Sequence, residues 1–304
     1  MSFGRMGAGR FGLLGAGAGG GTTVAAATPV LSAASAVDFS DTFVWGQATT
    51  DVASGTLYAV VVPGAASTPT AAQIVAGTDA AGAAAPNGNA AVTATGVRQV
   101  HVRGLTAATS YKVCMTHRTS ANSNVVTGSF TTDTLILAIM TNGTTTGLAA
   151  PGVGSAAYGL AQADPHGGTN ALRWVDSNDA ATGAIALALS SATYFSGQVK
   201  VHWTVKHVGG SAFIKILPAS MTTVAFVNFN ASTGAIGTES WVGTPVTFDV
   251  PTGWKMFSGI IDMTGADVVG TWTISMCLTD NVTNTNTRNG SNIKDIYNLR
   301  FTRV

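Results

Sequence analysis

The chain has 304 residues, of which 46% are hydrophobic and 10% charged, with 37 glycines and a formal net charge of +1. Fifteen Lys and Arg against 14 Asp and Glu exclude the bulk positive field that attracts a nucleic-acid backbone. No window reaches the roughly 18 uninterrupted apolar residues of a spanning helix, although the mean hydropathy is +0.31.

The length suits two domains, each with its own core. Average globular chains are roughly 25% charged, so this surface of small, uncharged residues is unusual. Weakly charged β-rich chains lack the repulsion that keeps monomers apart, and an assembled particle accounts for that composition. The two cysteines, Cys114 and Cys277, fall in different predicted domains and are expected as free buried thiols.

Residues 1–30 begin MSFGRMGAGRFGLLGAGAGGG, with glycine at nearly every second or third place and neither a helical nor a strand period. Arg5 and Arg10 precede Phe11, Leu13 and Leu14 as in a secretory signal, but glycines interrupt the 7–15-residue apolar run that such a signal needs. The segment reads as an extended anchoring arm, with Phe3, Arg5, Met6, Arg10, Phe11, Leu13 and Leu14 as its contacts on a larger partner. The composition serves an untethered tail as well.

Residues 31–133 change to short strands between small-residue turns, expected at 43–45, 57–62, 99–103, 111–115 and 129–132. A short helix interrupts them, beginning near Pro69 and stopping before Gly77. The pattern predicts a β-sandwich of about 100 residues with a helical insertion. Residues 134–304 give further strands at 135–140, 170–174, 198–205, 212–217, 223–229, 246–250, 255–261, 271–278 and 297–301. Trp272, Ile274, Met276 and Leu278 alternate with Thr271, Thr273, Ser275 and Cys277, as in a half-buried strand. So many strands without a long helix predict two packed antiparallel sheets, a jelly roll being the natural arrangement.

The segments Gly55-Thr-Leu-Tyr-Ala-Val-Val-Val62, Pro69-Thr-Ala-Ala-Gln-Ile-Val-Ala-Gly77, Gly104-Leu-Thr-Ala-Ala-Thr-Ser-Tyr111 and Ser129-Phe-Thr-Thr132 together resemble a fibronectin type III-like domain of tailed-phage and prophage fibre proteins. The specific part is the Gly-Leu-x-x-x-Thr-x-Tyr corner, in which Leu105 plugs the sandwich and the Tyr111 hydroxyl can hydrogen-bond the bend. The second unit, through residues 196–206, 229–234 and Gly253-Trp-Lys255, resembles jelly-roll modules related to carbohydrate-binding domains in phage tail and fibre proteins. The fold class is therefore expected to be all-β: an extended arm, a fibronectin type III-like β-sandwich and a jelly-roll β-sandwich.

The sequence offers little for catalysis. No Gly-x-Ser-x-Gly elbow, phosphate loop or His-Glu-x-x-His motif is present, so no enzyme and no catalytic residue is expected. Asp164-Pro-His166, with Asp176 and Asp179, could supply oxygen ligands to Ca²⁺. Without fixed ligand spacing it reads instead as a solvated loop, and neither a metal site nor a cofactor is expected. His202 and Lys206 share one strand face, read as exposed and polar, opposite Trp203 and Val205. His101 and His117 lie on separate strands with no zinc-ligand spacing.

Aromatic platforms can stack on sugar rings, and Trp241, Trp174 and Tyr194 are the candidate glycan-binding residues. Trp241, placed between strands, is the best candidate for an exposed ring, whereas Trp203, Trp254 and Trp272 read as core. The resemblance implies a bacteriophage virion component at head, neck or tail, anchored by its arm to capsid, portal or tail proteins. A homo-oligomer, in particular a trimer, is expected, with a host surface glycan as a further partner and no nucleic acid or membrane span. A polysaccharide-binding receptor module is the alternative. A polysaccharide depolymerase would need two carboxylates at roughly 5–9.5 Å.

Overall fold

The computed structural model describes residues 27–141, 144–145, 156–176, 184–188, 198–210, 213–218, 227–236, 241–262, 271–275 and 292–304. The chain is all-β and, among these residues, every strand pairing is antiparallel. The arm residues Phe3, Arg5, Met6, Arg10, Phe11, Leu13 and Leu14, together with Asp179, Tyr194 and Cys277, lie outside the described residues.

In the first unit, β1 (Leu31–Phe39), β2 (Phe43–Thr50) and β5 (Gly96–Arg103) form a three-stranded sheet. It faces a four-stranded sheet of β4 (Asn87–Ala91), β3 (Thr56–Pro63), β6 (Ser110–Arg118) and β7 (Val126–Thr131). Leu31, Val44, Ala48, Val100 and Val102 from one sheet meet Leu57, Val61, Val113, Met115 and Phe130 from the other in a single buried cluster. The predicted corner is present. Leu105 is buried in that core, and the Tyr111 hydroxyl accepts the Thr106 amide at 3.1 Å.

The predicted helix is α1 (Ala71–Ala76). Thr70 and Gln73 form a reciprocal capping box, and Gly77 closes the helix with a left-handed φ of 73°, a conformation glycine adopts without side-chain strain. Ile74 packs with Val60, Val62 and Cys114 on the outer face of the four-stranded sheet. Cys114 is a buried free thiol, and burial pushes its pKa up to about 11. The sequence does not announce β1 and β4, because they are rich in Ala, Ser and Asn and hold between them a single β-branched residue, Val37, of the kind that marks strands.

The second unit begins without a linker. Between β7 and β8 (Thr134–Thr141) stand only Thr132 and Asp133, both buried, and the Thr132 hydroxyl donates to the Thr106 carbonyl at 2.6 Å. Then follow β9 (Thr144–Thr145), β10 (Ala156–Gln162), β11 (Ala171–Asp176), β12 (Ala184–Ala188), β13 (Gln198–Gly209), β14 (Phe213–Pro218), β15 (Val227–Asn230), β16 (Trp241–Val250), β17 (Trp254–Asp262), β18 (Thr271–Ser275) and β19 (Asn292–Arg303). An eight-stranded sheet runs β10-β11-β19-β13-β17-β16, with β8 also paired to β19 and β9 to β8; a four-stranded sheet runs β12-β18-β14-β15.

Trp203 and Trp254 are fully buried, as expected of core. Trp241 opens strand β16 opposite Ile261, which corrects its placement between strands. Trp174 lies within β11, paired to Tyr158 and Lys294.

Two strands explain how the units are joined. β2 is buried along nearly its whole length: Val44 and Ala48 point into the first sandwich, while Phe43 and Trp45 belong to a cluster with Phe248, Val250, Trp254, Met256 and Tyr297 of the second unit. On β13, Val199, Val201, Trp203 and Val205 alternate with Lys200, His202 and Thr204, and His202 and Thr204 are as buried as the apolar set. A strand buried on both faces sits between two packed layers, so the eight-stranded sheet covers the outer face of the three-stranded one.

Candidate functional site

The seam between the two units gathers most of the buried charge among the described residues. From the first unit come Asp38, Asp41 and Asp133; from the second come Lys200, His202, Ser258, Arg300 and Thr302, all of them buried or nearly so. Strand alternation puts Lys200, His202 and Thr204 of β13 on one face. The paired residues Arg300 and Thr302 of β19 lie directly opposite His202 and Lys200.

On the other side, β1 carries a bulge between Ala36 and Asp38. A bulge re-aims the side chains that follow it, and here Asp38 is 4% exposed while its neighbour Val37 is 38% exposed.

The contacts across the seam are short and charge-assisted. Lys200 Nζ lies 2.6 Å from Asp38 Oδ1 and 3.7 Å from Asp133 Oδ2; it also donates to the Phe39 carbonyl at 2.6 Å and stands 4.7 Å from the Phe39 ring centre. Arg300 Nη2 donates to Asp41 Oδ2 at 2.5 Å. The Thr302 hydroxyl donates to Asp133 Oδ2 at 3.0 Å, and the Ser258 hydroxyl to Asp38 Oδ1 at 3.2 Å.

His202 sits between two acids, with Nε2 3.6 Å from Asp133 Oδ2 and Nδ1 4.0 Å from Asp38 Oδ2. Burial holds its pKa below the ordinary value even though both acids pull it upward. The structure therefore corrects the expectation that His202 is an exposed polar residue: its face is covered by the first sandwich, which strand alternation alone does not reveal. Each of the three acids is engaged by a cation or hydroxyl of the facing unit.

Beside this polar patch the seam is aromatic. Trp45 stacks on Phe248 with centroids 4.5 Å apart and on His101, its cross-strand neighbour, at 4.7 Å. Its indole N–H points to Met256 Sδ at 3.4 Å. Phe43 meets His202 edge-on at 5.1 Å. Pairs of this kind add about 0.5–1.5 kcal/mol each beyond area burial.

Two depressions, of about 440 and 480 Å³, open along the edge of the seam and share His101, Arg103, His166 and Val250. The first also reaches Phe43 and Asn298, the second Trp45, Asn89 and Gln99. The floor depends on Gly88: a Cβ there would lie 2.2 Å from the His101 carbonyl oxygen, so only glycine lets β4 approach β5 this closely.

His101 Nε2 is buried without a hydrogen-bond partner. Burial pulls the His101 pKa down to about 3, with the positive influence of His166 and Arg103 adding to it. Burial, then Arg103, pulls His166 down to about 4. Arg103 donates to the Tyr297 phenol oxygen, and burial outweighs this in raising the Tyr297 pKa.

The loop around Asp164 is exposed at Ala163, Gly167, Thr169 and Asn170, as expected of a solvated loop, but the acid itself is not solvated. Asp164 is buried, and its carboxylate accepts the amides of His166, Gly168 and Asn170 at 2.7, 3.1 and 3.3 Å. Burial works against the charged form, but these three amides outweigh it and lower the pKa. Both oxygens are turned to the loop's own backbone, so the residue builds the turn that presents His166. Among the described residues no group of three or more His, Cys, Asp or Glu could hold a metal ion.

His117 is also structural, bonded to the Thr50 hydroxyl and the Ser54 carbonyl, each at 2.7 Å. The side chains of Trp174 and Trp241 are outside the described part. The residues that make the seam and the cleft were not singled out from the sequence as a site, since polar residues alternating with Val and Trp look the same whether water or protein covers them. No protein-family model matches the chain, and no curated protein matches it.

Proposed function

We propose that the chain is a non-enzymatic structural protein of a bacteriophage virion, anchored by its glycine-rich arm at head, neck or tail and holding two β-sandwiches outward as a fibre or decoration. The observation that carries this reading is the seam. A two-residue buried connector and a desolvated ionic contact between units suit a stiff projection, whereas domains that must move are joined through exposed linkers and modest polar interfaces. The acids at the seam are occupied in holding the units together, which favours a mechanical role for them over acid/base chemistry.

The fibronectin type III-like resemblance and the low surface charge support assembly among identical copies, a trimer in this reading. The second sandwich is read as a jelly roll, and adhesion to host surface polysaccharide is the second reading, favoured by the cleft beside the seam.

The test is incorporation. Particles assembled with the full chain should carry it, and particles assembled with a chain lacking residues 1–27 should lose it while the truncated protein remains folded by circular dichroism. Unchanged incorporation of the truncated chain would overturn the anchoring role.

A further inference from the structure

The edge of the seam has the chemistry of a binding site independent of the anchoring arm. Its two adjoining depressions, of about 440 and 480 Å³, lie within the roughly 300–1,000 Å³ typical of small-molecule sites. At their junction stands Arg103, exposed, and among the described residues no carboxylate is recorded within ion-pair distance of it. The other arginine lining the first depression, Arg300, is committed to Asp41.

Around Arg103 stand the neutral His101 and His166 rings, 5.9 Å apart, and the side-chain amides of Asn89 and Gln99; Asp249, which also lines the second depression, is paired with Lys255. His101 contributes the buried nitrogen that has no partner. An unsatisfied buried polar atom is costly, and a ligand hydroxyl is one way to satisfy it.

We propose that this cleft binds a carboxylate-bearing sugar, with the Arg103 guanidinium pairing with the carboxylate and His101, Asn89 and Gln99 meeting the ring hydroxyls. One uncompensated guanidinium matches a planar monoanion, which it engages through two parallel hydrogen bonds. A phosphate ester, carrying more charge, would call for a second free cation. Amides and neutral imidazoles serve hydroxyls as both donors and acceptors. Because the site is formed jointly by the two units, binding also depends on the seam being closed.

Calorimetric titration of the full chain tests this with oligomers of galacturonate, glucuronate, mannuronate and sialate, each beside its neutral methyl ester. At least one acid should bind about tenfold or more tighter than its ester, a difference of about 1.4 kcal/mol. Arg103→Gln should lose that preference. Arg98→Gln should keep it, since Arg98 is half-buried and occupied with the Ala94 and Thr95 carbonyls. If no acid binds, if esters bind equally well, or if Arg103→Gln matches the parent chain, the inference is overturned. Particle incorporation is a separate measurement, so failure here leaves the anchoring role standing or falling by itself.

Discussion

At the scale of single residues, His101 converts burial into a dependence on pH. It faces the Trp45 and Phe43 rings, with His166 and Arg103 as its charged or titratable neighbours. In the folded chain the ring stays neutral down to about pH 3, whereas the ordinary value is 6.5. Between those limits the unfolded chain binds a proton that the folded chain refuses, so stability is complete above about pH 6.5 and falls as the pH drops. One such group contributes a slope of at most about 1.4 kcal/mol per pH unit. Denaturant titrations at pH 7, 6 and 5 should therefore show a smaller decline for His101→Gln than for the parent chain, the difference being the contribution of this ring. Parallel declines in the two proteins would mean that His101 takes up its proton without unfolding. The same residue illustrates what a sequence conceals: alternation in Gln99-Val-His-Val-Arg103 correctly separates Val100 and Val102 from the other face, but does not say that protein, rather than water, lies over His101.

At the scale of elements, β1 with the turn that follows it, β13 and β19 meet through charges that none of them could satisfy alone. Arg300 and Asp41 are 8% and 2% exposed at the side chain, and removing one partner of so buried a pair leaves the other uncompensated, at a cost of about 3–5 kcal/mol. Arg300→Met should lower the unfolding free energy by about that amount, and Asp41→Leu added to it should restore most of the loss, because two apolar groups can fill the space without a stranded charge. A double variant no more stable than the single one would show that the arginine acts through packing rather than pairing. Local signals made much of these elements legible. Val60, Val61 and Val62 announce β3, Pro69 and Gly77 bracket α1, and the Gly-Leu-x-x-x-Thr-x-Tyr spacing predicts the hydrogen bond that Tyr111 makes. The pairing of Arg300 with Asp41 is of another kind. Its partners are 259 positions apart, and no periodicity within one strand encodes which distant strand will cover it.

At the scale of the whole molecule, the seam determines whether two sandwiches behave as two bodies or one. The connector of Thr132 and Asp133 is buried, and Asp133 is bonded on both sides: its carbonyl accepts the Ala108 amide at 3.1 Å, and its carboxylate accepts the Thr302 hydroxyl. Unfolding the first sandwich alone would therefore expose Phe248, Met256 and Tyr297 of the second and leave Lys200 without its carboxylates. Neither unit can unfold cheaply without the other, and scanning calorimetry of the full chain should record a single cooperative transition. Neutralising Asp38 and Asp133 together to Asn removes both carboxylates that face Lys200 while leaving each sandwich core untouched. That variant should unfold in two separated steps, the first unit retaining the tyrosine corner and the Leu57–Val113–Phe130 core on which its own stability rests. If the parent chain itself melts in two steps, the seam is a contact rather than a coupling, and a projection built from these units would flex at Asp133.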